Sequence, residues 1–153
     1  MTSRTTPCTL ASNLLAPGER TVWRSVFFSG MTEKTAYKEV RVQAQAQLAS
    51  DSAKRQHYRD IAVEGETIAP SGGAGSFLRV TGQLVNKGTQ PTQSAFVTIA
   101  VYAADGTLLY IERGSAQTQQ IPAGGSVPFT INLITLRELP AKYEFFYWST
   151  KPN

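Results

Sequence analysis

A chain of 153 residues with 41% hydrophobic and 17% charged side chains is too apolar to remain disordered, and it is long enough for one full domain and part of a second but not for two large ones. Twelve Gly and eight Pro punctuate it too often for a helical bundle. The net charge of +4 sits in the first third, with eight Lys/Arg against four Asp/Glu up to His57 and seven against seven from Tyr58 onward; no five-residue window is dominated by basic residues, so no nucleic-acid surface is expected.

In chain order, "LLAPGERTVWRSVFF" (14–28) is the first segment with β character: a Pro-Gly turn followed by an alternating run. It reads like the closing part of a β-domain although it stands near the start of the chain. A shift of 106 positions lays it over a later segment without a gap. Gly18 falls on Gly124, Trp23 on Phe129, Ser25 on Ile131, Phe27 on Leu133 and Tyr37 on Tyr143. A repeat of that length points to tandem domains, of which residues 1–48 supply only the last three strands of the first. "LASDSAKRQH" (48–57) then reads as a polar linker, placed at 49–57, with a short helix over "QAQAQLASDSAKRQHY" as the alternative.

From Tyr58 to the end of the chain, apolar residues alternate with polar ones and turn residues recur about every 8–12 positions, the pattern of short antiparallel strands in a sandwich. "YRDIAVEGETI" (58–68) is the first strand and "APSGGAG" a loop. "SFLRVTGQLVNKG" (76–88) puts Leu78, Val80, Gly82 and Leu84 on one face and turns at Asn86-Lys87-Gly88. "SAFVTIAVYAADG" (94–106) aligns Val97, Ile99 and Val101 and ends in an Asp-Gly hairpin turn. "TLLYIERGSAQTQQI" (107–121) gives two short strands or one bent one, "IPAGGSVPFTINL" (121–133) aligns Phe129, Ile131 and Leu133, and "AKYEFFYWST" (141–150) closes the domain. The expected fold is all-β: an immunoglobulin-like antiparallel sandwich of about seven strands over residues 58–153, preceded by a partial immunoglobulin-like unit.

Three stretches carry a family resemblance: "VTGQLVNKG" (80–88), "VTIAVYAADGTLL" (97–109) and "IPAGGSVPFTI" (121–131). Together they resemble the FxLYD-type immunoglobulin-like domains of bacteria and archaea, in the V-x-G-x-V-x-N-x-G strand and turn, the Y-D-x-x-G hairpin and the L-x-P-G-x-x-x-x-F turn and strand. Ala103 stands where the family has Asp after Tyr, and Ala123-Gly124-Gly125 replaces its Pro-Gly turn. The resemblance implies an accessory or interaction module on the outer side of a prokaryotic membrane, with no catalytic residues to carry over.

No stretch approaches the ~20 apolar residues of a membrane-spanning helix, and the first 15 residues carry no signal-peptide core. The chain is therefore expected to lack an export signal of its own, which leaves peripheral association as the route to a membrane. Cys8 is the only cysteine, so no intrachain disulfide is expected. His57 is the only histidine, and no His/Cys cluster or nucleophile-base pair can be assembled by spacing. Asp60, Glu64 and Glu66 alternate along one strand, which predicts a row on one face, too flat to supply a calcium ion with enough oxygens. "SGGAGS" lacks the lysine of a phosphate-binding loop. No enzyme, cofactor or metal is expected.

The aromatic run "YEFFYW" (143–148) is the unusual feature. Its repeat counterparts Val40 and Val42 predict that Phe146 and Trp148 face the core and that Tyr143, Phe145 and Tyr147 face away. Exposed aromatic patches mark interfaces. A three-strand half-domain also leaves an apolar face and a strand edge to be covered, by another subunit of a larger assembly, by a second copy in a homodimer, by the complete domain or by an upstream segment. The expected contact residues are Trp23, Phe27, Tyr37, Tyr143, Phe145 and Tyr147, and the expected function is non-catalytic docking onto a larger, membrane-associated protein assembly. The alternative is a module for polysaccharide or an acidic polymer that uses Arg20, Arg24, Lys38 and Arg41 with Trp23 and Tyr37.

Overall fold

The computed structural model describes residues 9–10, 14–24, 45, 47–71, 78–116, 118, 120–133 and 139–152. In the N-terminal part, β1 (Thr9–Leu10) and β2 (Trp23–Arg24) form an antiparallel ladder with Leu10 opposite Trp23. Then follow α1 (Asp51–Gln56), β3 (His57–Tyr58), β4 (Ile61–Pro70), β5 (Leu78–Asn86), β6 (Ser94–Tyr102), β7 (Leu108–Arg113), β8 (Ser115–Ala116), β9 (Ser126–Leu133) and β10 (Lys142–Thr150). These strands build two four-stranded antiparallel sheets, ordered β4-β5-β9-β8 and β3-β10-β6-β7. The fold is an all-β sandwich. Its first sheet follows the A-B-E-D order of an immunoglobulin domain. In the second, β6, β10 and β7 take the C, F and C′ places, and the two-residue β3 stands where strand G would run.

Period-two alternation dictates the core. Along β9, Val127, Phe129, Ile131 and Leu133 are buried while the residues between them are exposed. Leu78, Val80 and Leu84 of the neighbouring β5 lie beside them, and Val97, Ile99 and Val101 of β6 meet them from the other sheet. In β6, Thr98 and Ala100, which point the other way, are buried as well. A strand buried on both faces reads as a continuous apolar run, as "VTIAV" does. The outer face of the second sheet is therefore covered around its centre.

Two features depart from the sequence reading. The expected strand 58–68 is split: Tyr58 pairs with Ser149 in one sheet, Arg59 and Asp60 cross over, and Ile61–Pro70 runs along the edge of the other. The predicted row of Asp60, Glu64 and Glu66 is broken by a bulge between Glu64 and Thr67, because an extra residue shifts the alternation of everything beyond it; Glu64 bonds to Lys87 instead. The linker 49–57 holds α1, whose first turn is capped by Ser50 Oγ accepting from Ala53 N at 3.2 Å. The two segments related by the 106-residue shift share their opening turn. Glu19 N donates to Ala16 O at 3.0 Å and Gly125 N to Pro122 O at 2.9 Å, around Gly18 (φ 81°) and Gly124 (φ 68°). The same turn, with the left-handed residue glycine requires at its third position, opens both segments.

Asn86 ties the bottom of the sandwich together. Fully buried, it donates through Nδ2 to Gln90 O (2.7 Å) and Ile121 O (3.1 Å), and its Oδ1 accepts from Tyr58 Oη (3.0 Å) and Gly88 N (3.0 Å). At Gly88 a Cβ would stand 1.7 Å from Tyr58 Oη. The Asn and the Gly of "VNKG" thus serve one contact with Tyr58.

Candidate functional site

The orientation of β10 follows from its partner. Tyr143, Phe145 and Tyr147 are paired with Val101, Ile99 and Val97, and directly opposed residues share a face. Because those three β6 residues form the core, the odd-numbered aromatics point inward, the reverse of the facing predicted from Val40 and Val42. Phe145 packs edge-on against Phe129 (6.0 Å, 72°) and against Tyr143 (5.8 Å, 70°). Phe146 and Trp148 lie on the outer face. Phe146 clusters with Ala100, Val22, Tyr102 and Ile111, and Trp148 stacks on Phe96 (4.6 Å) and His57 (6.0 Å). The Arg113 guanidinium sits 5.3 Å from the Phe96 ring.

Tyr143 and Tyr147 nevertheless remain 43% and 40% exposed. The cause is the missing length of the strand beside them. β3 pairs with β10 only at Ser149 and Thr150, and Lys151 N donates to Gln56 O at 2.8 Å. Backbone groups alternate sides along a strand, so Ser149 and Lys151 aim theirs at β3 while Thr150, whose carbonyl accepts from Gln93 N at 2.8 Å, aims at β6. Tyr143, Phe145 and Tyr147 share the phase of Ser149. Their N–H and C=O groups point past the edge, where among the described residues no strand receives them. Among the described residues, the uncovered length of β10 and the exposed Tyr143 and Tyr147 rings coincide on one strand.

Residues 14–24 lie on the outer face of this sheet. Val22 packs into the Ala100–Phe146 cluster, and Arg20 Nη2 reaches both oxygens of Glu144 at 2.7 and 2.8 Å, which raises the Arg20 pKa. Tyr102 Oη donates to Glu144 Oε2 at 3.3 Å; burial first, then the Glu144 charge, raises the pKa of that phenol. Glu19 accepts from Ala16 N at 2.7 Å and from Arg59, and these bonds hold its carboxyl below the usual range. Both ring nitrogens of His57 are shut off from solvent with no hydrogen-bond partner among the described residues, and burial, reinforced by Arg59, lowers its pKa.

Among the expected contact residues, Tyr143, Phe145 and Tyr147 come together on β10, and Trp23, 39% exposed, stands apart in β2. Phe27 and Tyr37 lie outside the described residues, as do Lys38, Arg41, Val40, Val42 and Cys8. Arg20, one of the four cations of the polymer-binding alternative, is committed to Glu144. Sequence reasoning missed the parts played by Glu144, Val22 and Phe96; the continuous apolar run of β6 was the signal that its outer face is covered. Among the described residues there is no group of three His, Cys, Asp or Glu arranged to hold a metal, and no helix long and apolar enough to cross a membrane. Comparison with family models, curated proteins and solved structures finds no match to the chain.

Proposed function

We propose that the chain is a non-catalytic structural or adaptor module that joins a larger protein assembly through the edge of β10 and its aromatic side chains. The observation that carries this reading is the coincidence at Tyr143, Phe145 and Tyr147 of backbone groups that no strand receives among the described residues with partly exposed aromatic rings. Main-chain bonds along such an edge supply affinity, and the side chains beside it supply specificity. The motif resemblance to FxLYD-type domains agrees with an interaction role. The test is photocrosslinking of the full chain in its native cell, with the photoreactive residue at Tyr147 or, as a control, at Gln83 on the outer face of the other sheet. A discrete adduct to a protein is expected from position 147 and not from 83. No adduct at 147, or the same adducts from both positions, refutes the reading.

A further inference from the structure

The edges of the two sheets are not equivalent: β3 covers β10 only at Ser149 and Thr150, which leaves the rest of β10 as an edge among the described residues. β4 carries a bulge, two glutamates and a terminal proline, β8 is two residues long, and β7 is short, with a register shift at its start and Glu112-Arg113 at its end. These are the devices by which strand edges avoid pairing with other chains. β10 has none of them. It runs in unbroken register with β6 from Lys142 to Thr150, contains no proline, and its two charges before Tyr147, Lys142 and Glu144, belong to the outer-face phase. A seven-residue stretch, 142–148, is left without a strand beside it among the described residues.

That stretch is self-complementary. Laid antiparallel on a second copy about a two-fold axis at Phe145, residues 142–148 match 148–142 over the whole vacant length. A central Phe145–Phe145 pair is then flanked on each side by a Tyr143–Tyr147 pair. These odd residues are the ones whose backbone groups point outward, so each of the three pairs is of the hydrogen-bonded type, giving about six N–H···O bonds in all. Like rings meet on one face, where aromatic pairs across strands are favourable. One Lys and one Glu make the stretch neutral, so two copies do not repel. The incoming strand has the direction of β3 and continues its line after Tyr58, where the chain departs for the other sheet.

We infer that the occupant of the β10 edge is a second copy of this chain, joined as a two-fold dimer in which Tyr143 of each copy lies opposite Tyr147 of the other. This rests on the docking reading above and names its partner. The register makes a prediction that other dimers do not. Tyr143→Lys with Tyr147→Lys sets lysine against lysine twice, whereas Tyr143→Lys with Tyr147→Glu sets lysine against glutamate twice.

The measurement is sedimentation equilibrium of the full chain at micromolar to submillimolar concentration, with cooperative unfolding checked for each variant. The unaltered chain is expected at twice 16.7 kDa. The double lysine variant should dissociate at least about tenfold more readily, and the Lys/Glu variant should regain the dimer. A monomeric unaltered chain overturns the inference, and an adduct to a different protein at position 147 would then show that docking itself survives. A double lysine variant that still dimerises, or a Lys/Glu variant that does not, also overturns it. If a variant fails to fold, amide exchange in the unaltered chain decides. Protection at Tyr143, Phe145 and Tyr147 that rises with concentration supports the dimer, and protection independent of concentration overturns it.

Discussion

Replacement of Asn86 by Ala should be among the most damaging single changes outside the apolar core. The side chain makes four hydrogen bonds at 2.7 to 3.1 Å in a fully buried position. Each is worth about 1 kcal/mol net, and a buried partner left unsatisfied costs about 1–3 kcal/mol. Gln90 lies at an exposed turn and regains water, and Ile121 O keeps its bond from Thr92 N (3.0 Å), whereas Tyr58 Oη is held inside. A loss of about 2–4 kcal/mol follows, a large part of the ~5–15 kcal/mol that holds such a domain folded. Tyr58→Phe removes one of these bonds and leaves the other three, so it should cost only about 1 kcal/mol. Denaturant unfolding followed by tryptophan fluorescence measures both, and the double variant completes a cycle in which the two changes should be clearly non-additive. If Asn86→Ala costs no more than Tyr58→Phe, the reasoning is refuted: Asn86 would then be an ordinary buried polar residue rather than the joint between the β5 end, the following turn and the segment leading into β9.

His57, neutral and poorly solvated, has its pKa lowered from 6.5, so the unfolded chain binds the proton more readily. Its contribution is complete above pH ~6.5 and is lost as pH falls through that value toward the folded-state pKa; stability measured from pH 8 downward should drop there, and His57→Phe, which keeps a ring beside Trp148, should abolish the drop. The lowered pKa of Glu19 acts in the opposite sense of charge, its contribution being present above 4.5 and lost only below that value, so the two windows separate in one titration. Gly124→Ala places a side chain at φ 68° and should cost about 1 kcal/mol by thermal unfolding; no loss would mean that the turn relaxes. Val22→Ser should weaken the hold of residues 14–24 on the sheet and speed limited proteolysis there without lowering the unfolding transition of the sandwich by more than about 1 kcal/mol; unchanged cleavage would show that Arg20 and Glu19 suffice.

Most strands and the inward faces of β5, β6 and β9 were legible because each covers one side of a sheet, and period two then identifies the buried set without knowledge of its neighbours. The turn at Gly18 and its counterpart at Gly124 were legible for a related reason: glycine at a left-handed position is a local requirement. What was not legible depends on contacts distant in sequence. The break between Tyr58 and Ile61 leaves no mark on the alternation, since an exposed Arg-Asp pair looks the same inside a strand as between two. The bulge after Glu64 likewise adds one residue without altering composition.

β10 shows the limit most clearly. "YEFFYW" is aromatic in both phases, so its period says that both faces are apolar and nothing about which one is the core. The repeat points to Phe146 and Trp148 as the inward pair, the wrong phase, because Val40 and Val42 carry no information about the register of β10 on β6. That register is settled by Val97, Ile99 and Val101. The consequence for function is direct. Had Phe146 and Trp148 been inside, the exposed rings would have formed a flat patch on the outer face. With the phase reversed, Val22 and Phe96 cover the outer aromatics, and Tyr143, Phe145 and Tyr147 stand where, among the described residues, the backbone of β10 has no strand beside it. An edge strand with inward aromatics and outward amides has one economical remedy, another strand laid alongside, and its length and symmetry are those of 142–148 itself.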